Sequence, residues 1–101
     1  VVPNGPEQRW VQYSFKKPRN VSSVEVYWLD DKGLNLVPAS WRVLYRQGGK
    51  WKPVANPSEY GVAKDQFNKV SFKPIKTDGL KLEVKVQPGR FSGILEWRVN
   101  P

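Results

Sequence analysis

The chain has 101 residues, 39% of them hydrophobic and 13% aromatic, enough for one buried core and too short for two domains. Seventeen Lys and Arg against nine Asp and Glu give a formal charge of +8, and the absence of His and Cys excludes disulfides, the usual zinc sites, and Ser-His or Cys-His nucleophile pairs. No apolar run reaches the roughly 18 residues of a membrane span, and no G-x-x-x-x-G-K-[ST] or G-x-G-x-x-G loop is present to cradle phosphate.

Residues 1–8, with Pro3, Asn4, Gly5 and Pro6, are expected to form an irregular lead-in. The chain opens Val-Val-Pro without a methionine, which reads as a processed product or a piece of a larger protein. From Trp10 to Phe15 the pattern alternates, with Val11, Tyr13 and Phe15 on one side and Gln12 and Ser14 on the other, so a first strand is expected there. Lys16 to Asn20, with Pro18, is expected to turn the chain into a second strand over Val21 to Leu29. The segment DDKGLNLVPAS that follows exceeds the two to about five residues of a tight hairpin, so it is expected to serve more than closure.

Trp41, Val43 and Tyr45 alternate with Arg42, Leu44 and Arg46 in the next strand, and Gly48-Gly49 supplies a tight turn into Trp51 to Val54. Ala55 to Gln66, with Asn56, Pro57 and Gly61, reads as a second long connection with Tyr60 near its tip. Phe67 to Phe72 is expected to be a strand and Pro74 to Gly79 a turn. Leu80, Leu82, Val84 and Val86 then alternate with Lys81, Glu83 and Lys85, Gln87 to Gly93 forms a third loop, and Ile94 to Val99 closes the fold with Leu95, Trp97 and Val99 inward. About seven or eight short strands with regular turn signals and no helical periodicity predict an all-β antiparallel sandwich.

Catalytic chemistry is poorly supplied. Asp30 and Asp31 are the only adjacent acidic pair, and neighbouring strand-end residues point to opposite sides, which does not suit a facing acid and base. Binding chemistry is better supplied, because sugars present apolar C–H faces to aromatic rings and hydroxyls to directional donors and acceptors. Asp30, Asp31, Lys32 and Asn35 in the first long connection, Tyr60 and Asp65 in the second, and Arg90 and Phe91 in the third offer that mixture. Five of them have a plainer reading beside the binding one. Asp30 and Asp31 suit capping of a turn through backbone N–H groups, Tyr60 a lid on the core with its hydroxyl bonded to backbone, Phe91 a cap on the core, and Arg90 a solvated charge. The five tryptophans are mostly core by their phase, with Trp51 the best placed to be exposed.

The succession WVQYSFKKPRNVSSVEVYW, SWRVLYRQGGKWKPV and LKLEVKVQPGRFSGILEWRV resembles the discoidin or factor V/VIII type C pattern found in family 32 carbohydrate-binding modules. It is most similar to C-terminal accessory domains of bacterial glycoside hydrolases related to the β-L-arabinofuranosidases. The resemblance runs from about Arg9 to Val99. It implies a galactose-binding-domain-like jelly roll, loops that converge at one end of the sandwich, and a sugar-stacking aromatic at Phe91. It also implies an acidic position at Glu96 that helps hold structural Ca2+. Calcium takes six to eight oxygens and one Glu supplies at most two, while the nine residues before Trp10 contain no Asp; a Glu96 pair with Arg98 or a lysine is the plainer reading.

The expectation is therefore a noncatalytic accessory domain that binds carbohydrate and tethers a neighbouring glycoside hydrolase domain to glycan, secreted or periplasmic by resemblance. An alternative is a structural domain that packs on its parent enzyme without a ligand, supported if Leu44, Leu29 and Tyr27 form an exposed apolar patch. A third is salt-sensitive binding of anionic polymer through the +8 charge. The basic residues are scattered rather than clustered, which weakens nucleic acid as a partner.

Overall fold

Val21, Val24, Val26 and Trp28 share one side of a strand, and burying each such side chain contributes roughly 1.5–3 kcal/mol, so that side must meet another apolar layer. The computed structural model describes residues 2–3, 8–30, 37–87 and 92–101, with side chains given for these except at positions 2, 3, 8, 9 and 95. The inward placement expected of Leu95 thus lies outside the described residues. Six strands occur among them: β1 (Val2–Pro3), β2 (Gln8–Leu29), β3 (Ser40–Gln47), β4 (Lys50–Pro53), β5 (Phe67–Lys85) and β6 (Gly93–Asn100), all paired antiparallel.

β2 and β5 are 22 and 19 residues long and pair along most of their length, from Gln8 opposite Lys85 to Tyr27 opposite Phe67. Two register shifts interrupt the ladder, between Ser14 and Arg19 and between Val21 and Ser23. Each is a bulge, where surplus residues on one strand bend and twist the pair. The ribbon folds there, so its two halves serve two layers. β6 lies beside the later half of β2, from Ser23 opposite Asn100 to Leu29 opposite Gly93. β3 lies beside the later half of β5, with β4 outside it. The layers meet through one cluster that includes Val21, Val24, Val26, Trp28 and Val70 from one side and Trp41, Val43, Leu80, Leu82 and Val84 from the other. Trp28 and Trp41 touch edge-on across it, with ring centroids 5.3 Å apart.

The all-β antiparallel sandwich is as expected, with three differences of detail. The turns expected at Lys16 to Asn20 and Pro74 to Gly79 are instead continuous strand. Pro18 and Pro74 fall in the bulged stretches, where a missing N–H removes no ladder bond; the prolines mark bends rather than breaks, and the expected seven or eight strands merge into six. Val2 and Pro3, expected to be irregular, pair with Trp10 and Arg9. Leu44, expected on the outward side, is buried, flanked in register by Pro53 and Lys81. The hairpin at Gly48 and Gly49 follows expectation: both have positive φ, 57° and 76°, as a two-residue loop between Gln47 and Lys50 requires.

Candidate functional site

The register brings the three long connections to one end of the sandwich. β2 ends and β6 begins at the Leu29–Gly93 pair, so Asp30 and Ser92 leave from adjacent points of one layer. In the other layer Ser40 opens β3 opposite Lys85 at the end of β5. Ala39 N donates to Lys85 O at 2.9 Å, and Gln87 Nε2 donates to Val37 O at 2.8 Å. The first and third connections therefore both cross between layers at this end, tied stem to stem. The second connection joins them through Trp41, whose indole Nε1 donates to Gly61 O at 2.8 Å.

Tyr60 is half-buried, its ring 5.0 Å from that of Trp41 at 67°. Its hydroxyl accepts from Val43 N at 3.2 Å. Burial pushes its phenol above the ordinary tyrosine value, opposed by the Val43 hydrogen bond and by Arg42. Tyr60 is thus a lid on the core, partly exposed, within the second connection. Asp30 is half-buried at the first position beyond β2. Asp31, Asn35, Arg90 and Phe91 lie outside the described residues.

Glu96 is exposed, on β6 opposite Tyr27, and pairs with Arg98 at 3.6 Å. No group of three or more His, Cys, Asp or Glu able to hold a metal occurs among the described residues, and the calcium expectation rests on the resemblance alone.

Asn68 was not among the expected site residues, yet it shapes the second connection. It is buried at the start of β5, where Oδ1 accepts from Ala63 N at 2.9 Å and Nδ2 donates to Ala63 O at 2.8 Å, Val26 O at 3.3 Å and Gln66 O at 3.3 Å. Gly61 lies so close that a Cβ there would stand 2.8 Å from Asn68 Oδ1. The clue in the sequence was an asparagine at the second position of an apolar strand, a residue type that strands disfavour. Beside it, an open depression of about 380 Å³ runs between Ser58–Glu59 and Gln66–Lys69.

The apolar patch that would favour a purely structural role does not form from the residues expected, because Leu44 is buried, Leu29 is half-buried and the Tyr27 ring packs edge-on against Phe67 at 5.3 Å. Most of the described arginines are engaged with acids: Arg42 with Glu83 at 2.8 Å, Arg46 with Asp78 at 2.9 Å, and Arg98 with Glu96. Trp10 and Trp51 are half-buried and hold the Lys81 ammonium between them, at 5.2 and 4.8 Å from their ring centroids.

The F5/8 type C domain family model matches residues 2–97. No curated protein matches the chain in sequence. Among solved structures, the chain is similar to part of a multifunctional β-galactosidase, BgaA, of Streptococcus pneumoniae, at 17% identity and a TM-score of 0.81 over 93% of this chain and 69% of that one. A pectin-binding carbohydrate-binding module gives 19% identity and a TM-score of 0.72, covering 96% and 69%. A chitosan-binding module from a chitosanase/glucanase of Paenibacillus sp. IK-5 gives 14% identity and a TM-score of 0.70, covering 96% and 71%.

Proposed function

The chain belongs to the F5/8 type C domain family, and from that premise we propose that it is a noncatalytic carbohydrate-binding module. The observation that carries this reading is the gathering of three long connections at one end of a rigid sandwich, with their stems tied by Gln87, Val37 and Trp41. Binding groups far apart in sequence converge on such a surface, while the fold beneath limits the entropy lost on binding. Asp30, Asp31, Asn35 and Arg90 would supply directional hydrogen bonds to ring hydroxyls, Phe91 an apolar contact to a C–H face, and Tyr60 the floor between them. Similar folds named as pectin-binding and chitosan-binding modules support the ligand class. Because one of those polymers is anionic and the other cationic, they do not choose the sugar.

The module would act beside a glycoside hydrolase domain, a pairing supported by the likeness to parts of BgaA and of a chitosanase/glucanase, and we place both outside the cell or in the periplasm. Tethering raises the concentration of polymer at the neighbouring catalytic domain and leaves its chemical barrier unchanged.

The test is titration of the isotope-labelled chain with plant-cell-wall and host-glycan oligosaccharides at low and moderate salt, followed by amide shifts. Saturable shifts around Asp30, Val37, Tyr60, Gln87 and Ser92, indifferent to salt, are expected. Shifts spread over the lysines and abolished by salt would instead mark nonspecific polyanion binding, and silence with every sugar would leave a structural domain of the parent enzyme.

A further inference from the structure

Tyr13 is in phase with the core, since its register partner Leu80 is fully buried, yet Tyr13 is 52% exposed. The layers do not close on this flank among the described residues: β6 is the outer strand of one, and only the two-residue β1 lies outside β2 in the other. The Tyr13 ring faces Phe15 at 5.2 Å and meets the Trp97 ring edge-on at 6.2 Å, across the gap between layers. With Val99 and Arg19 these three line a cleft of about 220 Å³. Register places Trp97 opposite Val26 and Val99 opposite Val24, so the cleft lies away from the Leu29–Gly93 end. Trp97 is roughly 13 Å along the strand from Gly93.

Arg19 makes this cleft chemically specific. Its guanidinium sits 5.0 Å over the Phe15 ring. Arg42, Arg46 and Arg98 each meet a carboxylate, whereas Arg19 has no ion pair among the described residues. A guanidinium matches a planar carboxylate through two parallel hydrogen bonds, and aromatic rings beside it offer a C–H face its apolar contact. The volume lies below the roughly 300–1,000 Å³ of pockets that enclose drug-sized ligands, which suits a single sugar ring. Exposed Lys16 and Lys17, on the same bulge, add positive potential to the approach.

We propose that this flank is a second glycan subsite, distinct from the end of the long connections, that takes a uronic acid residue of an acidic polysaccharide. The ring lies against Tyr13 and Trp97, and its carboxylate pairs with Arg19. The inference rests on the carbohydrate-binding reading and adds to it an anionic sugar class.

The test titrates the labelled 101-residue chain with trigalacturonate and with neutral galactotriose. Trigalacturonate is expected to shift the Trp97 indole and the amides from Tyr13 to Arg19 saturably, and galactotriose to leave them still. Arg19→Ala should weaken trigalacturonate binding about ten- to hundredfold, the range for loss of a charged hydrogen bond. Tyr13→Ala should weaken it too; both side chains are exposed, and unchanged shifts elsewhere would show the fold intact. A silent flank, alongside sugar shifts at the long connections, would overturn this subsite and leave the main reading standing. Equal shifts with both trisaccharides and no effect of Arg19→Ala would overturn the choice of a uronate. No shift at either surface with any glycan would remove the carbohydrate reading itself.

Discussion

The Gln87 side chain donates to the Val37 carbonyl at 2.8 Å, joining two connections that lie 50 residues apart in sequence. This bond and the Ala39–Lys85 backbone bond hold the returning stem of the first connection against the departing stem of the third. Gln87→Leu keeps the apolar stem of the side chain and removes the donor. It should destabilise the fold by about 1 kcal/mol and speed amide exchange between Asp30 and Ser40 more than in β4. Denaturant melts with hydrogen exchange would check this; uniform loss of protection would show that Gln87 supports the whole fold rather than the loop end.

Asn68 satisfies four backbone groups from within a strand. Asn68→Ala should destabilise by about 2–3 kcal/mol, because partly buried carbonyls and an N–H lose their partners. Gly61→Ala forces its new methyl toward Asn68 Oδ1 and should perturb the same residues, 61–66, in amide spectra. Near-additive losses in the double variant would show that the two positions are uncoupled and would argue against this packing.

Tyr60 ties stability to alkaline pH. Burial raises its folded phenol above the unfolded value, so its contribution is full below the ordinary tyrosine pKa of about 10 and is lost as pH rises through the raised folded value. Tyr60→Phe should cost about 1 kcal/mol at neutral pH, since Val43 N loses its acceptor. Its stability should fall less steeply than that of the parent chain above about pH 10. Thermal melts of both chains across that range would decide; identical slopes would mean the phenol titrates alike in both states.

Gly49 has φ of 76° with no atom within 4 Å of where a Cβ would stand. Gly49→Ala is therefore a pure backbone test and should cost about 1 kcal/mol. Gly48→Asn, at φ 57°, should be nearly neutral, because Asn tolerates the left-handed region in type I′ hairpins. Equal losses for both in denaturant melts would point to a different turn in solution.

Much of this protein was determined by short-range chemistry legible in the chain. Alternation at Val24, Val26 and Trp28, at Trp41 and Val43, and at Leu80, Leu82 and Val84 specified half-buried strands, because a strand's side chains alternate between faces. Gly48-Gly49 specified its turn, because few residues other than glycine enter positive φ freely. Other features depended on partners that local sequence does not name. Pro18 and Pro74 looked like chain reversals, but bulges in a shared ribbon accommodate them, and only the register of β2 against β5 decides that. Leu44 looked outward by phase, yet it is buried, with Pro53 and Lys81 as its register neighbours. Tyr13 shares a side with the partly buried Val11 and Phe15 by the same rule, and its exposure follows from where the two layers fail to meet. Periodicity assigns a side chain to a face of its own strand, whereas tertiary structure decides what covers that face.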